Sequence, residues 1–207
     1  MICEKELIAH KLLRWEAHLN HYHLPSWESI PDIGLYMDQI ILLLKQELGF
    51  ILTPSDIKDK PLTASTINNY VRLRVMPAPV KNKYYRAQSA YLIMILTLKQ
   101  SLSIQSIQKI LPLNLSESET QAVYSDYVVT FRQVSLQFTE HIRNSAQNIL
   151  TPENADENAV GTLLMQVALS SGFSKIMTEK IIALQGADPA EVLKAEQAAD
   201  QKEPAAD

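Results

Sequence analysis

Between residues 62 and 77 the chain reads LTASTINNYVRLRVMP, a stretch in which amides and a guanidinium recur at helical spacing. Ser65, Asn68, Asn69 and Arg72 share one side of such a helix, while Ile67, Tyr70, Val71 and Leu73 can pack inward from the other. Asparagine pairs with N6 and N7 of adenine, and arginine or lysine reaches guanine or phosphate, so this outer face suits a DNA major groove. Thr63 is placed to cap the first turn, and Pro77 forbids helix beyond Met76. Residues 77–86, PAPVKNKYYR, follow as a Pro-fixed loop or wing. Its Lys81, Lys83 and Arg86 are suited to the phosphate contacts that fix register on a duplex. The plain alternatives are an ordinary solvated helix, a core role for Tyr70, and a solvated basic loop.

The formal charge of −4 conceals a strong division along the chain. Residues 58–109 hold nine basic side chains and one acidic, Asp59, for a net +8, whereas residues 1–57, 110–186 and 187–207 each carry −4. A basic segment inside an acidic protein is an electrostatic footprint for a polyanion.

Other chemistries have little support. His18, His21 and His23 in HLNHYH are close together, but no cysteine or carboxylate completes a local zinc set, so neither metal nor cofactor is expected. Cys3 is a lone cysteine and reads as a small apolar residue of the first helix. Five glycines form no phosphate-binding loop, and no nucleophile motif is present, so an enzyme is not expected. The longest apolar run, Tyr91–Leu96, is far shorter than a membrane span, and the N-terminus lacks a signal-peptide layout; a cytoplasmic protein is expected.

The elements that must hold this face in place repeat at helical periods, which predicts an all-α fold. A first helix over 3–20 carries Ile8, Leu12, Trp15 and Leu19 as a stripe. Tyr36–Leu48 follows, with Gly49 as its C′ residue. Residues 50–61, with Pro54 and Pro61, read as a connector, 87–100 as a helix buried all round, and Ser103–Leu111 as a short helix stopped by Pro112. Ser116 and Glu119 form a capping box for a helix over 117–150, along which Val123, Tyr127, Phe131, Val134, Phe138 and Ile142 make a seam. That seam packs either within the chain or in a homodimer. Thr151-Pro152 restarts a helix that Gly172 interrupts, Gly186 closes the last regular segment, and an acidic, Ala-rich frayed helix or mobile tail follows.

The segment STINNYVRLRVMPAP (65–79) resembles the recognition helix and turn of MerR-type winged helix-turn-helix regulators, with Thr66, Ile67, Tyr70, Arg72, Pro77 and Pro79 at matching places. Lys83-Tyr84-Tyr85 is similar to that family's wing, and residues 98–111 to the helix after it. More narrowly, residues from about 30 onward resemble a bacterial family numbered 1836 among the domains of unknown function. The MerR resemblance implies phosphate contacts from Tyr70, Arg72, Lys83 and Tyr85; Asn68 and Asn69 stand where that pattern has an Arg-Tyr pair and are the residues expected at base edges, with Ser65 and Thr66 also in the expected DNA-binding set. Arg74 stands where the MerR pattern has glycine, so either the turn is rebuilt or Arg74 is left-handed.

The expected organisation is an N-terminal helix and connector (1–29), a MerR-like winged helix-turn-helix (30–111), a helical regulatory or dimerisation region (115–186) and an acidic tail (187–207). The expected function is a transcriptional regulator binding double-stranded DNA, with an organic effector or a protein as a further partner. The alternative is a helical protein-interaction module that does not read DNA.

Overall fold

The structure, a computed structural model, describes residues 5–51, 62–151 and 158–200, with side chains followed to residue 195. Cys3, Pro54, Lys58, Asp59, Lys60, Pro61 and Pro152, and with them the readings of the connector and of the helix restart, lie outside the described residues. The fold is all-α: α1 (Lys5–His21), α2 (Met37–Glu47), α3 (Ala64–Arg72), α4 (Arg86–Leu98), α5 (Ile104–Ile110), α6 (Glu117–Ser145), the single turn α7 (Gln147–Leu150), α8 (Ala159–Ala183) and α9 (Pro189–Asp200). Two isolated β-bridges are the only extended pairing among the described residues.

α4 lies at the centre. Its sequence is apolar on every side, and nine consecutive residues, Gln88–Leu96, are buried. A helix with no solvent face must be surrounded. α2 and α6 pack against it, and α3, which packs on α2, sends Ile67 and Tyr70 into the same core. The polar groups inside this shell are paired: Tyr91 Oη donates to Pro112 O, Thr97 Oγ1 and the Tyr127 hydroxyl share a hydrogen bond, and Tyr124 Oη donates to Pro25 O at 2.8 Å. Burial pushes the Tyr91, Tyr124 and Tyr127 phenols above their ordinary range, so they remain neutral donors.

The capping signals act as read. Thr66 N donates to Thr63 Oγ1 at 3.3 Å, and Ser116 N donates to Glu119 Oε2 at 2.8 Å. The two Ser116 hydrogen bonds hold the Glu119 carboxyl below its usual range.

Several expectations are corrected. The core runs past residue 111 into α6, where Tyr124 is fully buried, so α6 begins inside the same core. Along α6 the inward line passes through Thr120, Tyr124, Ser135 and Thr139, leaving Val134 and Phe138 of the expected seam about half exposed. The Thr139 hydroxyl satisfies itself on Ser135 O at 2.8 Å, so small polar residues line the approach to α1. α6 ends at Ser145 rather than reaching Leu150, because Ala146 departs from helical geometry and seats in a second small core with Ile149, Ala159 and Leu163. α8 passes through Gly172 without a break, since an interior glycine costs about 1 kcal/mol and does not stop a helix. Gly49 does not adopt the positive φ of a C′ residue, whereas Gly186 does, at 78°. The expected tail includes α9, begun by Asp188, whose Oδ1 accepts from Ala190 N at 2.9 Å.

The C-terminal end of α1 is fastened to α6 by Arg132. Arg132 Nη1 donates to Leu19 O at 3.0 Å and Tyr22 O at 3.3 Å, and Nη2 to Asn20 O at 2.6 Å, capping the carbonyls at the end of α1. Tyr22 Oη donates to Glu47 O at 2.7 Å, tying the same end to α2; burial and the nearby Glu47 carboxylate push this phenol up to about 12. Replacing Arg132 by Ala is expected to cost about 2 kcal/mol in chemical denaturation and to speed amide exchange throughout α1, with Arg132→Lys recovering part of the loss.

Candidate nucleic-acid interface

α3 turns Ile67 and Tyr70 into the core and leaves Ser65, Asn68 and Arg72 exposed on its outer side. Thr66 and Asn69 sit at the edge of that side. The amide of Asn69 is already engaged, its Oδ1 accepting from Arg72 Nη2 at 2.7 Å, so the two side chains form a prearranged pair. Tyr70 is 4% exposed and belongs to the core, which withdraws it from the outer set. Leu73, expected inward, is 39% exposed, because it stands where the helix ends.

The end of α3 differs from the one drawn by Pro77. Arg74 takes φ 53°, its N–H bonds Val71 O at 3.0 Å, and Val75 N bonds Tyr70 O at 3.1 Å. These two bonds define a Schellman motif with arginine at the left-handed position. The apolar lock of the motif is present, since Val75 and Tyr70 are both buried. Of the two outcomes considered for Arg74, the left-handed one holds. Gln108 of α5 secures the same end, donating from Nε2 to Leu73 O at 3.1 Å. Nothing in the spacing of the sequence announces that tie.

The wing is a hairpin. Val80 and Lys83 exchange two backbone hydrogen bonds of 3.0 Å around Lys81 (φ 49°) and Asn82 (φ 61°), a two-residue turn with both central residues left-handed, as in type I′. Leu35 and Tyr84 exchange two more at 2.8 Å, adding the segment before α2 to the ribbon. Gln88 holds the base: its Oε1 accepts from Tyr85 N at 2.9 Å, and its Nε2 donates to Ala78 O at 3.2 Å. The tip, Lys81 and Asn82, is exposed.

The other wing residues divide. Lys83 Nζ lies 5.0 Å from the centre of the Tyr36 ring and its side chain is half-buried, while Tyr85 is 38% exposed. Arg86 turns inward, correcting its place among the phosphate contacts. Its Nε donates to Ile30 O at 3.0 Å, its Nη1 is 3.9 Å from Asp32, and its guanidinium lies 5.8 Å from the Trp27 ring centre. As the first residue of a buried helix, it has its stem against the core.

The outer side of α3 therefore carries Ser65, Asn68, Asn69 and Arg72, with Arg74 exposed at the helix end, and Lys81 is a further exposed cation at the wing tip. The histidines form no shared site: His21 and His23 each bond a backbone carbonyl through Nδ1, and His18 lies against Phe50 with ring centres 4.2 Å apart. Among the described residues no three His, Cys, Asp or Glu side chains are placed to hold a metal ion, and no helix is long and apolar enough to cross a membrane.

This fold and face lie in a recognised sequence family. The chain belongs to the family described as a domain of unknown function, DUF1836, whose model matches residues 25–128. The match runs from the connector after α1 to the middle of α6, the same span as the main core. No curated protein and no solved structure matches the chain.

Two substitutions test this geometry. Arg74→Gly relieves the left-handed strain and is expected to raise stability by about 1 kcal/mol, read as a higher denaturation midpoint. Gly34→Ala is expected to do the reverse. A Cβ there would lie 2.7 Å from Lys83 Cδ and 2.9 Å from Tyr85 Cζ, forcing the wing outward at a cost of about 1–3 kcal/mol. Amide chemical-shift changes should centre on residues 80–85.

Proposed function

We propose that this chain is a DNA-binding protein of MerR-like winged helix-turn-helix type, acting as a transcriptional regulator. α3 enters the major groove and the wing lies on the adjacent backbone. The observation that carries the reading is a polar and cationic helix face together with two exposed cations, at the helix end and at the wing tip, held at conformations disfavoured for their residue types. Arg74 and Lys81 occupy positive φ, where glycine or asparagine is the easier choice. Strain of about 1 kcal/mol or more at each place is compatible with selection for the charge itself. Asn68 is the residue proposed to read a base edge, and Arg72, Arg74, Lys81 and Lys83 to meet phosphate. Two copies joined through Val134 and Phe138 of α6 would present two such faces.

A second reading, a helical protein-interaction module without DNA recognition, draws on α8. Met165, Leu169, Phe173, Met177 and Ile181 recur every four residues and each is more than half exposed. Exposed apolar side chains along the whole length of a helix are characteristic of a docking surface.

Fluorescence anisotropy with a labelled mixed-sequence duplex, titrated at several salt concentrations, separates the two. With about four phosphate contacts per chain, log affinity should fall against log salt with a slope of roughly −3 to −4. Arg72→Ala together with Lys81→Ala should reduce that slope by about 2 while circular dichroism is unchanged. No binding at low salt would defeat the DNA reading and leave the interaction module.

A further inference from the structure

The apolar stripe of α1 has an unusual fate. None of its described residues is buried, although Ile8, Leu12, Trp15 and Leu19 all face the body of the protein. Between this stripe and α6, α7 and α8 lies a cavity of about 410 Å³. That volume falls within the roughly 300–1,000 Å³ typical of small-molecule sites. The stripe from Ile8 to Leu19 runs about 16 Å at helical rise, giving the cavity an elongated apolar wall.

Of its sixteen lining residues Glu16, Thr139 and Arg143 have polar side chains, Trp15 adds an indole N–H, and the other twelve are apolar. The Thr139 hydroxyl donates to Ser135 O. Glu16 Oε1 accepts from Arg143 Nε and Nη2, both at 2.8 Å, and the carboxylate is mostly covered, at 18% exposure against 57% for the arginine. The exposed polar group beside this apolar wall is thus the Arg143 guanidinium, and with Nε and one side of Nη2 held by Glu16 it leaves its outer Nη1–Nη2 edge as a fork suited to a carboxylate. An apolar wall with one such fork matches a molecule with an aliphatic body and an anionic head.

We propose that the cavity between α1, α6, α7 and α8 binds a free aliphatic carboxylate of medium chain length, its hydrocarbon along Leu12, Trp15 and Ile142 and its carboxylate on Arg143. The site is separate from the α3 face and does not depend on the DNA reading. Arg143 keeps Glu16 as a partner on one side of its fork and takes the ligand on another. Filling the cavity completes the burial of α1, so the ligand couples to the docking of that helix.

The test is isothermal titration calorimetry of the full chain with sodium dodecanoate, dodecan-1-ol and dodecylamine below their micelle concentrations, with Trp15 emission as a second readout. Dodecanoate is expected to bind saturably and most tightly, with a blue shift from Trp15; Trp27, buried in the main core, contributes a constant background. Arg143→Met should weaken dodecanoate at least tenfold and leave dodecanol unchanged, and Arg143→Lys should restore part of the loss. Leu164→Trp, at an exposed lining position, should weaken both by filling the cavity. Absence of saturable dodecanoate binding, equal affinity for dodecanol, or indifference to Arg143→Met with the helix content intact would each overturn the proposal.

Discussion

A helix with no outward face organises this protein. From Gln88 to Leu96 every side chain of α4 is enclosed, so the surrounding elements are fixed by the need to cover it. The polar groups that enter the shell do so with partners. Gln88 is one of them, and its two amide atoms reach both sides of the wing's base. The position of an exposed hairpin tip is thereby set by a residue buried at the first turn of the central helix. The same enclosure links α3 to the rest, since Ile67 and Tyr70 lie in this core while Asn68 and Arg72 look outward.

Helix positions were legible where local chemistry and periodicity agreed. Thr63, Ser103 and Ser116 begin α3, α5 and α6 with the expected side-chain caps. The all-apolar character of α4 was visible directly. Helix ends were harder to read, because the stop of α3 comes from a left-handed arginine that composition does not favour, and that of α6 from an alanine drawn into a small core. Gly172 misled for the opposite reason: a single glycine in a strongly apolar helix is a modest cost, and propagation on both sides outweighs it.

At the candidate interface, outward spacing identified Ser65, Asn68 and Arg72, but side-chain direction alone could not separate free cations from structural ones. Arg86 has the same charge as Lys81 and sits five residues away, yet one clamps Trp27 and Ile30 while the other tips a turn. The difference lies in tertiary partners from residues 27–32, a separation of more than fifty positions that no local pattern encodes. The seam on α6 shows the same limit. Counting apolar residues found the half of the seam that packs on the main core, Val123, Tyr127 and Phe131, but further along α6 the buried positions are Ser135 and Thr139, while Val134 and Phe138 are about half exposed. The second layer of the molecule, built from α1, α7 and α8, lies largely beyond the family-matched segment and carries its own cavity.

Arg74 and Lys81 also bear on how the protein would respond to artificial selection. One route to greater heat resistance replaces a residue at positive φ, as Arg74 and Lys81 are, with glycine or asparagine, because the gain is local and needs no repacking. A library screened for thermostability alone would therefore reach these two codons early, and each improvement would strip a positive charge from the set proposed to meet phosphate. The hardiest descendants of this chain would be those with the least charge in that set, so a screen that scores survival without scoring those cations would select against them.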